Sequence, residues 1–308
     1  MKPVVIEPDA GTSIEACADQ LLAVLAHAEG LTRAPRLFRG FDLRQSSDLS
    51  DLLKMINLLA TPYVGGNSPR TQLGDNVYTS TEFSAVADIT LHQELSYEWS
   101  LPDLCFFLCG TPSLTGGATP LCDAGAVLDH LDPHIVVEFE ARGLRYLQRL
   151  PRHGGIGKSW SDTFEIDDQA ECERLLTQRD LQFTWEDDDT LVLVRDRPAT
   201  RRHRSSGRRL WFNQADQWHP SAIGSARARQ ALKAVYGDRL PHDVVFGDGT
   251  PIPDEYVKAI SRTTRSISWA EPWQAGDLIV VDNQATMHGR DRYTGPRSVY
   301  VAMATLGS

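Results

Sequence analysis

Three side chains far apart in the sequence place the tightest limit on how this chain folds. His92-Gln93-Glu94 closes the first third and His288 lies near the C-terminus, 288 − 94 = 194 positions after the glutamate. Two imidazoles and one carboxylate on one side of a site form the facial triad of non-haem Fe(II) oxygenases, which leaves three coordination positions for reagents. In an extended strand, residues i and i+2 project to the same side, so His92 and Glu94 share a face while Gln93 points away. The run Ala87-Asp88-Ile89-Thr90-Leu91-His92 has the composition of a strand, and a fold that uses this set must bring His288 back to it. A His-x-Glu pair alone is a common coincidence, and an ordinary surface or core histidine explains most such pairs.

The surrounding residues make the pair specific. Gly116-Gly117-Ala118-Thr119 follows it, and His288 is followed by Gly289-Arg290-Asp291-Arg292-Tyr293-Thr294-Gly295-Pro296-Arg297. A 2-oxoglutarate co-substrate places its keto-acid end on the metal and needs a planar cation for its far carboxylate. Arginine offers that bidentate fork, and Arg297 is the candidate.

With these residues in view, the chain resembles the taurine dioxygenase and TfdA-like Fe(II)/2-oxoglutarate oxygenases, closest to the branch of the syringomycin-pathway aspartyl hydroxylase. The likeness runs through Leu37-Phe38-Arg39-Gly40-Phe41, Ser68-Pro69-Arg70, Val77-Tyr78-Thr79-Ser80-Thr81-Glu82 and His92-Gln93-Glu94-Leu95-Ser96-Tyr97. It continues in Gly116-Gly117-Ala118-Thr119, Trp211-Phe212-Asn213-Gln214, Asp282-Asn283 and His288-Gly289-Arg290. The resemblance implies that His92, Glu94 and His288 hold iron, and that Thr119 and Arg297 bind the far carboxylate of 2-oxoglutarate. Two departures narrow it. Val301 stands four positions after Arg297, where taurine-specific relatives carry a second arginine, which argues against a sulfonate substrate. The carboxylate ligand is Glu94 where many relatives have aspartate, as in members that act on amino acids.

The resemblance also implies the chemistry: O2 and 2-oxoglutarate are consumed, succinate and CO2 are released, and hydrogen is abstracted from an unactivated C–H bond. Hydroxylation of an amino acid or related carboxylate in natural-product assembly is the expected outcome, with desaturation or cyclisation as alternatives. Retention of Glu94 argues against a halogenase of this family. A zinc hydrolase would also accept two histidines and a glutamate with an open water position, but it leaves Thr119 and Arg297 unexplained. A non-catalytic relative would be expected to lose part of the set. Arg290, Arg292, Asn213 and Gln214 are candidates for substrate contacts because they flank the proposed site.

Several classes are disfavoured by composition. The net charge is −10, and an acidic chain is a poor match for the polyanionic backbone of nucleic acid. Five cysteines scattered over 308 residues do not form the disulfide framework of a small secreted domain. The N-terminus lacks the features of a signal peptide and no apolar run approaches ~20 residues, so the expectation is a cytoplasmic protein without a membrane partner.

One stretch opposes the acidic trend. Arg195, Arg197, Arg201, Arg202, Arg204, Arg208 and Arg209 crowd a short segment, expected to be a solvated loop before Leu210-Trp211-Phe212. The alternative is a lid or docking loop for a substrate carboxylate or an acidic carrier protein.

Periodicity predicts helices at Ser13 to Glu29, Asp48 to Leu59, Gly125 to Arg142, Gln169 to Gln178, Ala222 to Tyr236 and Asp254 to Arg265. Strands are predicted at Ile89 to Gln93, Leu104 to Cys109, Leu144 to Leu150, Thr190 to Val194, Leu278 to Asp282 and Ser298 to Thr305. The expected fold is mostly β with helical inserts: one domain over 1–308 built on a double-stranded β-helix (jelly roll), with an insert or lid at about 151–275. Gly154-Gly155-Ile156-Gly157-Lys158-Ser159 looks like the tail of a phosphate loop, but Arg152 occupies the place of its first glycine. Cys105 and Cys109 flank Phe106, Phe107 and Leu108 and are expected to be buried in a strand.

Overall fold

The continuous apolar run Leu104–Thr111 becomes the middle strand of a seven-stranded sheet in a computed structural model that describes residues 1–9, 11–27, 30–63, 70–98, 100–153, 158–223 and 226–306. Across the sheet the order is Val4–Ile6, Arg36–Phe38, Leu278–Asp282, Leu104–Thr111, Ser298–Ala304, Val77–Thr79 and Gln72–Gly74. Only the first pair is parallel.

A strand covered on both faces needs no polar alternation, and its residues divide strictly by parity. Leu104, Phe106 and Leu108 face a core shared with Cys17 and Leu21 of the helix Ile14–Leu25 and with Leu49, Leu52 and Leu53 of the helix Ser46–Met55. Cys105, Phe107 and Cys109 face the opposite core. Both helices are shorter than their apolar stripes suggest. Ser13 caps the first through the Ala16 amide, while Asp48 closes a capping box on Gln45 that moves the start of the second back to Ser46.

The second core carries a three-stranded antiparallel sheet in which Thr286–Arg290 lies between Ile89–His92 and Leu121–Asp123. His288 pairs directly with His92 on one side and Leu121 on the other. Thr286–Arg290 is absent from the sequence expectation. Gly289 allows the approach, since a Cβ there would stand 2.6 Å from the Ile89 carbonyl oxygen.

A four-stranded sheet completes the larger core, in the order Gln182–Trp185, Leu191–Arg197, Leu144–Leu150 and His242–Phe246. Tyr146 and Phe246 extend the core from this sheet, and Trp160, Phe164, Cys172 and Leu176 form a small cluster behind it. The chain is thus mixed helix and strand. Its strands fall into separate hydrogen-bonded sheets, with no closed barrel among the described residues.

Two expectations change in detail. The helix predicted over Gly125 to Arg142 is two, Ala124–His130 and Pro133–Arg142, because Pro133 cannot continue a helix but starts one well, with Asp132 as its cap. The arginine-rich stretch is no free loop: Thr200–Arg202 pairs with Arg209–Trp211 as a hairpin, and Arg195 and Arg197 belong to the strand Leu191–Arg197. The phosphate-loop lookalike falls largely outside the described residues. No helix among the described residues is long and apolar enough to cross a membrane.

Candidate metal centre

The antiparallel register places the two imidazoles side by side, with ring centroids 4.7 Å apart. Beyond the end of its strand at His92, the chain turns Gln93 into the protein, where its amide donates to the Trp211 carbonyl at 2.8 Å, and turns Glu94 back towards His288. Glu94 Oε2 lies 3.7 Å from His288 Nε2. One ligand atom from each of His92, Glu94 and His288 lies within 4.8 Å of the others, and all three residues are buried. The i, i+2 geometry read from the sequence therefore survives, although regular strand ends two residues before Glu94.

Each residue is held by a different partner. His92 Nδ1 lies 2.8 Å from the Thr90 carbonyl and 2.9 Å from the Gln217 amide, leaving Nε2 to face Glu94 and His288. Glu94 is gripped at both ends. Asn283 accepts from its backbone N–H at 2.8 Å and donates to its carbonyl at 3.0 Å, while Arg70 Nη2 donates to Oε2 at 2.6 Å. His288 packs on Phe107, ring centroids 4.8 Å apart, and its Nδ1 has no hydrogen-bond partner among the described residues. Arg70, Gln217 and Asn283 were given no role by the sequence. Arg70 and Asn283 stand in segments that carry the resemblance, but no local spacing connects them to Glu94, which both hold.

The electrostatics suit a cation site. Burial, and next the adjacent His288, push the His92 imidazolium down to about 4, so the ring is neutral with a free lone pair. Burial on its own would raise the Glu94 carboxyl. Arg70 and then the neighbouring His288 outweigh it and hold the group well below the usual carboxylate range.

Beside these residues is a narrow cavity of about 40 Å³, lined among others by Arg70, Phe107, Thr119 and Arg297. Thr119 is buried in its wall. Arg297 donates from Nε to the Gly117 carbonyl at 3.0 Å and from Nη1 to Ser80 Oγ at 3.2 Å, and no carboxylate is paired with it among the described residues. Burial, and next Arg290, press its guanidinium down to about 10. Gly116 and Gly117 make this contact possible. Both have positive φ, +67° and +71°, and a Cβ on Gly117 would come within 2.4 Å of Ser113 Oγ and 3.2 Å of Arg297 Cδ.

The substrate-contact candidates are placed otherwise. Arg290 lines the cavity, but its terminal nitrogens donate to the carbonyls of Thr81, Phe83, Ser84 and Ala87, so it fastens the loop above the site. Arg292 is exposed and 3.5 Å from Asp88. Asn213 is buried and bonded to Ala199 and Ala215, and Gln214 to Gln93, Tyr146 and Trp218; these amides bind protein rather than the cavity. Several members of the arginine run likewise have partners within the chain: Arg195 with Glu98, Arg208 with Asp123, Arg209 with Glu140, and Arg201 stacked on Phe212. The five cysteines are all buried and unbridged.

Residues 14–303 match the family model described as taurine catabolism dioxygenase TauD, TfdA family. The chain belongs to that family. It is therefore an Fe(II)/2-oxoglutarate-dependent dioxygenase, and the zinc-hydrolase alternative falls away. Among relatives, it is 34% identical over 268 residues to the dapdiamide synthesis protein DdaC of Enterobacter agglomerans, covering 87% of this chain and 80% of that protein. It is 29% identical over 275 residues to the clavaminate synthase-like protein At3g21360 of Arabidopsis thaliana, with the same coverage. The fold is similar to that of PvcB, an Fe, alpha-ketoglutarate dependent oxygenase from an isonitrile synthetic pathway, at a TM-score of 0.53 and 15% identity over 98% of this chain and 85% of that one. It is also similar to a taurine dioxygenase from Burkholderia xenovorans, at 0.51 and 16% over 100% and 87%.

Proposed function

We propose that this dioxygenase hydroxylates an unactivated C–H bond of an amino acid or related carboxylate in a natural-product pathway. In this reading His92 Nε2, Glu94 and His288 Nε2 hold Fe(II), and Thr119 and Arg297 bind the distal carboxylate of 2-oxoglutarate. The seven-stranded and three-stranded sheets correspond to the two halves of a double-stranded β-helix, with the segment at about 151–275 as an insert in a single domain. The observation that carries the assignment is the convergence of three candidate ligand atoms within 4.8 Å beside a partly buried arginine that has no carboxylate partner among the described residues.

When bound, iron supplies the oxidising power for the C–H bond. The protein's part is to bind, aim and exclude water. Neutral His92 and ionised Glu94 present lone pairs without first losing a proton. Arg297 offsets one carboxylate of the dicarboxylic acid, and the intact carboxylate ligand favours hydroxyl transfer over halogenation. Arg70 supports a carboxylate on the substrate. Its Nη2 is taken by Glu94, but its Nε and Nη1 are buried without hydrogen-bond partners among the described residues, and unpaired buried donors favour an acceptor.

Anaerobic titration with Fe(II) and 2-oxoglutarate is expected to develop the metal-to-ligand charge-transfer band. Free amino acids that are substrates are expected to shift it. Replacement of His92 by Ala is expected to abolish both the band and Fe-dependent succinate formation, and continued turnover by that variant overturns the ligand assignment.

A further inference from the structure

The short helix Ala215–Trp218 lies along the His-x-Glu segment and is tied to it by amides. Gln214 Nε2 donates to the Gln93 carbonyl at 2.7 Å, Gln93 Nε2 donates to the Trp211 carbonyl at 2.8 Å, and Gln217 Nε2 lies 3.2 Å from Thr90 O, to which it can donate, and 2.9 Å from His92 Nδ1, itself 2.8 Å from that same carbonyl. The first two bonds join side chain to backbone and hold the segments together. The third touches the imidazole itself, and its chemistry depends on which amide atom faces the ring.

A neutral imidazole carries one N–H. If the Gln217 NH2 donates to Nδ1, the proton must sit on Nε2, the nitrogen that faces Glu94 and His288, and the lone pair points away from the metal position. If the amide is turned so that its oxygen meets Nδ1, the bond from Gln217 Nε2 to Thr90 O is exchanged for a shared one in which Nδ1–H donates to Gln217 Oε1 and the Thr90 carbonyl, and Nε2 is free to coordinate. The two amide orientations are nearly isosteric, but only the second suits a ligand. His288 has no such selector, because its Nδ1 is unpartnered.

We infer that Gln217, from outside both sheets of the metal centre, is a positioning residue that acts with the Thr90 carbonyl to set the His92 tautomer and ring orientation by accepting a hydrogen bond from Nδ1. This rests on His92 being an iron ligand and adds that the 211–218 segment governs metal loading. Loss of such an outer partner weakens metal affinity by about 10–100-fold.

The test is Fe(II) binding by the anaerobic full-length protein, read by titration of the 2-oxoglutarate charge-transfer band, together with the 15N shifts of histidine-labelled apoprotein, which report the tautomer. Gln217→Leu has no acceptor, whereas Gln217→Glu can only accept. The leucine variant is expected to bind Fe(II) about 10–100-fold more weakly, with a larger population of the Nε2–H tautomer. The glutamate variant is expected to restore binding and the Nδ1–H form. If Gln217→Leu binds iron within about twofold of the parent, or if Gln217→Glu is as weak as the leucine variant while both melt like the parent, the inference is overturned. Should the leucine variant not fold, a glutamate variant in the Nε2–H form also overturns it. A parent protein that forms no charge-transfer complex defeats the functional assignment itself, which is a separate outcome.

Discussion

Arg297 is a partly buried cation beside the cavity, with a carbonyl and a hydroxyl for company but no carboxylate among the described residues. A charge-assisted bond contributes about 1.5–3 kcal/mol, more where its fork is matched by two oxygens. Arg297→Lys keeps the charge and loses the planar fork, so it is expected to raise the dissociation constant of 2-oxoglutarate by about tenfold or more, with Fe(II) affinity little changed. Titration of the charge-transfer band separates the two. Arg70 is the opposite case, a cation paired with a buried carboxylate. Arg70→Gln leaves Glu94 charged and uncompensated, a change that costs on the order of 3–5 kcal/mol in buried pairs. The apoprotein is expected to melt several degrees lower, with Fe(II) restoring part of the loss as it replaces the missing positive charge; an unchanged melting temperature counts against this role for the pair. The sequence singled out His92, Glu94, His288 and Arg297 as candidates because residue type and order are recognisable, and the fold brings the first three together. It hid Arg70, Gln217 and Asn283 because their roles lie in contacts 24, 125 and 189 positions away, and such contacts leave no periodic trace.

Element boundaries were legible where one local force dominates. The parity of Leu104–Thr111 and the stripe of Gln169–Gln178 define a strand and a helix almost residue for residue. Thr286–Arg290 was not legible. Thr-Met-His-Gly-Arg has neither alternation nor an apolar run, and it becomes a strand because neighbours on both sides satisfy its backbone. The Gly116–Thr119 turn is an element whose geometry serves the site. Gly117→Ala would impose a left-handed conformation on a residue with a Cβ and crowd both Ser113 and Arg297. Such strain costs about 1–3 kcal/mol, and relief requires the turn to move away from Arg297. The variant is expected both to melt earlier and to bind 2-oxoglutarate more weakly. Weaker stability with unchanged co-substrate affinity shows that the turn serves the fold alone.

At the scale of the whole molecule, the contact of the 211–218 segment with the rest of the protein carries a buried acid. Asp216 joins the helix Ala215–Trp218 to the helix Asp254–Ser266 by accepting from Ser261 Oγ at 3.2 Å, and burial raises its carboxyl to about 7. The unfolded chain titrates this group near the ordinary 3.8. A carboxyl whose folded value is raised lends the fold its full stability below the unfolded value. That contribution declines as pH climbs and is gone once pH passes the folded value near 7, because the unfolded state has released its proton while the buried group still resists ionisation. Each unit of difference is worth about 1.4 kcal/mol, so the loss between pH 5 and pH 8 is about 2–3 kcal/mol, or several degrees in Tm for a chain of this size. Asp216→Asn is nearly isosteric, accepts the same hydrogen bond from Ser261 and does not titrate. Its Tm is expected to fall less than the parent's between pH 5 and pH 8, so the gap between the two proteins moves in the asparagine variant's favour as pH rises. Parallel Tm profiles across that interval, measured on the metal-free proteins, rule out Asp216 as the titrating group.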